Sequence, residues 1–64
     1  MLTLNGKPVL LTHKTLADFL HFHDFDLTCI AVELNGHIIQ RAAYQKTILE
    51  AEDRLEVVSF VGGG

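Results

Sequence analysis

Two Asn-Gly pairs, Asn5-Gly6 and Asn35-Gly36, constrain this chain more than anything else in it. Asparagine and glycine best tolerate the positive φ of a two-residue type I′ turn, so each pair, flanked by extended-type sequence, signals a hairpin. Residues 1–4 alternate before the first pair, and residues 7–11 form the return strand. Pro8 near its start suits a strand at a sheet edge, where its missing N–H removes no ladder bond. Residues 29–34 are a β-rich run leading into the second pair, and residues 37–39 resume extended structure. The triplet Leu-Asn-Gly thus recurs at Leu4 and Leu34. It is one turn chemistry used twice, because the flanking segments do not match.

A helix falls between the two hairpins. Thr15 and Asp18 have capping-box spacing, although aspartate is a shorter partner than the usual glutamate or glutamine. Leu16, Phe19, Leu20 and His23 follow at i, i+3, i+4 and i+7, so they share one face of a helix over residues 16–23. Beyond the second hairpin, residues 41–44 suit a short turn or a single helical turn, 47–49 a brief strand, 51–54 a polar turn and 55–61 a final strand. The order is strand, strand, helix, strand, short strand, strand. An amphipathic helix between hairpins must bury its stripe against a sheet. The expected fold is therefore α+β, a mixed sheet packed against one main helix in the β-grasp manner. The domain spans residues 1–61, and residues 62–64 form a flexible C-terminal glycine tail.

Composition narrows the function. Sixty-four residues make one domain, which buries only about 60% of the surface its unfolded chain exposes. Walls thick enough for a deep substrate pocket are not available, which argues against an autonomous enzyme. A net charge of −3 with five scattered basic residues argues against nucleic acid as a partner. No apolar run reaches the length of a membrane span, and the first six residues lack the features of a signal peptide. The single cysteine, Cys29, excludes an internal disulfide and fits a reducing, cytoplasmic setting.

The chain ends Phe60, Val61, Gly62, Gly63, Gly64. Glycines without Cβ atoms make a thin tail, one that another protein's active site could thread to reach the terminal carboxylate. In the final strand Leu55, Val57, Ser59 and Val61 share one face, while Glu56, Val58 and Phe60 share the other. Glu56 avoids a core, so Val58 and Phe60 are expected outside, as an apolar docking patch beside the tail. Other residues read more plainly. His21 and His23 point about 200° apart on a helix, and His13 and His37 lie in other elements, so no metal site is expected. His23 is placed near the helix C-terminus, where a partial negative charge accepts a donor. Cys29 packs as a small hydrophobe, the carboxylates of Glu50, Glu52, Asp53 and Glu56 form a solvated rim, and Phe19, Phe22 and Phe25 serve core and helix-flank packing.

The helix segment 15–20, the run 30–36 and above all the run 53–64, where a polar turn, a strand and terminal glycines join without interruption, resemble the ThiS family. That family consists of sulfur carriers of thiamine biosynthesis, β-grasp relatives of ubiquitin. The resemblance covers essentially the whole chain. It implies that the first and last strands pair in parallel at the sheet centre. It also implies that a ThiF-like, E1-type activating enzyme adenylates the Gly64 carboxylate with ATP and magnesium. A persulfide enzyme then supplies sulfur, and the thiocarboxylate serves a ThiG-like thiazole synthase. Gly62 and Gly63 thread the partner's active site, and the carrier holds no stable cofactor of its own. Two positions depart from the family pattern: Gln40-Arg41 stands where Pro-Arg is frequent, and Glu52 where glycine is common. The small subunit of molybdopterin synthase, a ubiquitin-like protein modifier and a plain interaction domain are the alternatives.

Overall fold

Each Asn-Gly pair closes a hairpin. In the computed structural model, which describes residues 1–60, β1 (Leu2–Leu4) and β2 (Lys7–Val9) pair antiparallel, with Leu4 opposite Lys7. The second hairpin joins β3 (Ile30–Leu34) to β4 (His37–Ile39), with Leu34 opposite His37. The four turn residues all have positive φ: 52° at Asn5, 83° at Gly6, 52° at Asn35 and 87° at Gly36. That is the conformation a type I′ turn requires.

The helix α1 (Leu16–Phe22) starts where its cap predicts. The Thr15 hydroxyl accepts the Asp18 N–H at 3.2 Å, satisfying one of the first-turn donors. The reciprocal bond of a full capping box does not form among the described residues, in keeping with the shorter aspartate arm. Leu16, Phe19 and Leu20 are fully buried against Leu2, Ile30, Val32, Leu55 and Val57 from the sheet, with Tyr44 and Leu49 closing the core. Each such side chain contributes about 1.5–3 kcal/mol by leaving water.

The last strand, β5 (Arg54–Ser59), organises the sheet. The five strands run β2-β1-β5-β3-β4, which puts β5 in the middle and Pro8 on an edge, as expected. β5 is antiparallel to β3, in register from Leu34 opposite Leu55 to Ile30 opposite Ser59. It is parallel to β1, but only Thr3 opposite Arg54 and Leu4 opposite Leu55 are in register. Both turn asparagines continue this pairing with their side chains. Asn5 Oδ1 accepts the Val57 N–H at 2.7 Å, and Asn5 Nδ2 donates to the Val57 carbonyl at 3.1 Å. Asn35 Oδ1 accepts the Arg54 N–H at 2.8 Å, and its Nδ2 donates to Asp53 at 3.0 Å. The Asn5 amide thus stands in for one peptide unit of a neighbouring strand, while the Asn35 amide supplies one acceptor to the β5 backbone and spends its donor on the Asp53 carboxylate.

Several elements are shorter than expected. The return strand ends at Val9, and Leu10 and Leu11 are exposed. Residues 47–49 contribute a single antiparallel bridge, Ile48 to Thr15, outside the five-stranded sheet, made by the Leu49 N–H to the Lys14 carbonyl at 2.8 Å and the Leu16 N–H to the Thr47 carbonyl at 2.9 Å. β3 begins at Ile30, one residue after Cys29. β5 ends at Ser59, although Phe60 still donates to the Cys29 carbonyl at 2.7 Å, and Val61 lies outside the described residues. Glu52 occupies a turn position with φ 76°, which explains why glycine suits that place, and its carboxylate meets the N-terminal ammonium of Met1 at 2.8 Å on the surface.

The two asparagines should differ in worth. Asn5→Ala removes two part-buried bonds and leaves the Val57 N–H unpaired, so a loss of about 2 kcal/mol is expected. Asn35→Ala removes bonds on the exposed side and should cost about 1 kcal/mol. Urea unfolding of both variants checks the order, and equal losses would contradict it.

Candidate functional site

Alternation along β5 decides what its two faces do. Leu55 and Val57 are buried under α1, so Glu56 and Val58 point out of the opposite face. Val58 is 62% exposed and Phe60 is 57% exposed, as the sequence pattern predicts. The pattern overlooked a third member. Ile38 on β4, 73% exposed, stands opposite Glu33 and lies on the same outer face. Its signal was present in β4, where Ile39 packs towards the core and its neighbour must therefore face outwards.

Ala31, Ile38 and Val58, with Glu33, Arg54 and Glu56, line a shallow, open depression of about 440 Å³ across β4, β3 and β5. It is a contact surface rather than an enclosed site. Its centre carries an electrostatic cost. Glu33 and Glu56 are directly opposite across the β3–β5 ladder, and like charges so placed repel. Neither forms an ion pair among the described residues, although Arg54 lines the same depression. An acidic pair set among apolar, solvent-facing residues suits a surface that sets a basic group against the two carboxylates and apolar groups around it.

The loop that brings the chain from α1 to β3 runs beside the end of β5. Asp26 anchors it, accepting the Thr28 hydroxyl at 2.7 Å and the Thr28 N–H at 3.0 Å. These bonds from Thr28, helped by the neighbouring Cys29 thiol, hold the Asp26 carboxyl below its ordinary 3.8. The turn is therefore supported above that ordinary value, and the support is lost as pH falls through the lowered one. The Cys29 thiol lies 3.6 Å from the Thr28 hydroxyl and is half-buried.

The histidines do not converge. Among the described residues no group of three or more His, Cys, Asp or Glu side chains is placed to hold a metal ion. His23 departs from expectation. Its backbone N–H donates to Phe19 at 3.1 Å, but its ring packs against Phe19 and Phe22, and Nε2 is buried with no partner among the described residues. The side chain therefore makes no bond to a terminal carbonyl of α1. Phe22 is exposed and packs on the helix flank, with its ring 5.0 Å from His13 and 5.2 Å from His23. Phe19 is fully buried and Phe25 packs at the core margin. Gly62, Gly63 and Gly64 lie outside the described residues.

A mixed five-stranded sheet on one helix, with the first and last strands parallel beside its centre, is the ubiquitin-like β-grasp fold. Here the central last strand presents apolar residues on its outer face, and glycines follow it in the sequence. The ThiS family model matches residues 2–64, and the chain belongs to the ThiS family. Across the full length of both chains it is 38% identical to the sulfur carrier protein ThiS of Bacillus subtilis. The crystal structure of a thiamine biosynthesis protein (ThiS) from Geobacter metallireducens superposes with a TM-score of 0.79 at 31% identity, covering 98% of this chain and 97% of that one. A thiazole synthase from Magnetococcus marinus is 37% identical over 95% of this chain, a match that occupies 19% of that protein's length.

Removing one of the opposed charges should stabilise the domain. Glu56→Gln is expected to add about 0.5 kcal/mol, a rise of roughly 2–4 °C in melting temperature for a domain of this size. An unchanged or lower melting temperature would show that the two carboxylates do not repel.

Proposed function

We propose that this chain is the sulfur carrier for thiazole formation in thiamine biosynthesis, and that it is a substrate of other enzymes rather than a catalyst. The observation that carries the reading is the full-length match to a sulfur carrier of the same length class, together with a last strand that leads from an exposed apolar face directly into the terminal glycines. The ThiS matches favour this over the molybdopterin synthase subunit and over a protein modifier.

The chemistry follows from the terminal carboxylate. A carboxylate is anionic and resonance-stabilised, so a nucleophile cannot displace its oxygen directly. An activating enzyme of the E1 type, holding ATP and magnesium, joins the Gly64 carboxylate to AMP and releases pyrophosphate. The terminal sulfur of a partner's persulfide then attacks the acyl carbon, and AMP leaves with the bonding pair. A thiol reduces the resulting acyl disulfide, and Gly64 is left as a thiocarboxylate. Transfer of that sulfur to the acceptor on a thiazole synthase, with an oxygen from the acceptor or from water taken up in its place, restores the carboxylate. A segment similar to this chain shares one polypeptide with the Magnetococcus thiazole synthase, which supports such an enzyme as the acceptor. Gly62 and Gly63 act by having no side chain where the partner's channel is narrow. Val58 and Phe60, extended by Ile38, form the docking patch. The cycle belongs in the cytoplasm, where Cys29 stays reduced.

Incubation with a ThiF-type activating enzyme, magnesium-ATP and a sulfur source should raise the intact mass by the exchange of one oxygen for sulfur, located on Gly64 by fragmentation. No adenylate and no thiocarboxylate, with an activating enzyme proven active on its own carrier, would overturn the reading. Gly63→Ala should leave the melting temperature unchanged and slow adenylation at least tenfold. Phe60→Glu should stay folded and bind the activating enzyme at least tenfold more weakly, and an unchanged affinity would remove Phe60 from the docking patch.

A further inference from the structure

The backbone of β5 is not fully paired, and the place where its pairing stops is specific. Peptide groups alternate along a strand, one residue facing one neighbour and the next facing the other. In β5 the even residues face β3: Arg54 exchanges bonds with Asn35, and Phe60 donates to Cys29. The odd residues face β1. The Asp53 carbonyl accepts from Thr3 at 2.9 Å, the Leu55 carbonyl accepts from Asn5 at 2.8 Å, and Val57 is satisfied at both its N–H and its C=O by the Asn5 side chain. Ser59 is the next odd residue. β1 has turned away into Asn5-Gly6, and neither the N–H nor the C=O of Ser59 has a partner among the described residues. Ser59 itself is exposed. The parallel ladder therefore stops one rung short, with an open donor and acceptor immediately before the tail.

The occupant of that edge follows from what comes after it. Residues 62–64 are glycines and offer a partner no side chain to grip. Affinity for such a segment has to come from main-chain hydrogen bonds, as when a peptide is added to a sheet edge. The Ser59 peptide, at the open edge just before those glycines, offers a partner the first such bonds.

We propose that Ser59 is a rung of an intermolecular β ladder, in which an extended segment of the activating enzyme adds to the β1 side of β5 just before the glycines. Asn5 sets the start of this ladder, because its side-chain amide ends the internal one at Val57. The proposal rests on the docking reading above, and its test separates the two.

The test uses the full chain and a ThiF-type activating enzyme. The Ser59 amide should exchange with solvent rapidly in the free carrier and at least tenfold more slowly in the complex, read by NMR. Ser59→Pro removes the outward N–H without removing an internal bond and should weaken binding at least tenfold, whereas Ser59→Ala should bind within twofold of the unaltered chain. Unprotected Ser59 exchange in a saturated complex overturns the ladder, and this result does not depend on any variant folding. Equal affinity for Ser59→Pro and the unaltered chain, with Phe60→Glu still weakened, overturns the ladder and leaves the docking patch standing. Unchanged affinity for both Ser59→Pro and Phe60→Glu overturns both.

Discussion

Everything in this domain depends on holding β5 in the middle of its sheet. The strand is covered by β3 along its whole length, but β1 meets it at only two register positions. The Asn5 amide makes up part of the difference by bonding both polar groups of Val57, and Asn35 does a similar service at Arg54. A buried peptide group without a partner costs about 1–3 kcal/mol, a large share of the roughly 3–10 kcal/mol that stabilises a domain of this size. The same residues that turn the chain also secure its central strand. This couples the two hairpins through β5, which pairs with one strand of each.

A central last strand has a functional consequence. Its inner face is consumed by the core, with Leu55 and Val57 under Phe19 and Leu20, so its outer face and its C-terminal end are what remains for recognition. That outer face is poorly designed for stability. It exposes Ile38, Val58 and Phe60, and it sets Glu33 against Glu56. Apolar exposure and like-charge pairing both disfavour an isolated domain, and a surface that sets a basic group against the carboxylates and apolar groups around them would relieve both.

Much of this was legible in order along the chain. The Asn-Gly pairs, the Thr15 cap and the i, i+3, i+4 stripe from Leu16 are local signals, and local geometry obeys them. Val58 and Phe60 could be placed outside because one charged neighbour, Glu56, fixed the phase of an alternating strand. Errors arose where a side chain's fate depended on distant packing. Residues 47–49 have strand-like composition, yet Leu49 is drawn into the core beside the helix start and only Ile48 bridges to Thr15. His23 sits on the apolar stripe and packs against Phe19, while Phe22, one residue earlier, is turned outwards by the same helical period. Ile38 was missed because three residues of strand are too few to show a period.

By itself the sequence determined the elements and their polarity: where the chain turns, which face of the helix is apolar, which face of the last strand is not, and that the chain ends in glycine. These are short-range properties, set by φ preferences and by periods of two and 3.6 residues. Only the tertiary structure decided that β1 and β5 lie side by side in parallel, because that contact joins segments some fifty residues apart, such as Leu4 with Leu55. From that one pairing follow the asparagine clamp on Val57 and the open Ser59 peptide, while the pairing of β5 with β3 sets Glu33 opposite Glu56. No local propensity encodes them; they exist because closing the core leaves β5 one place to go.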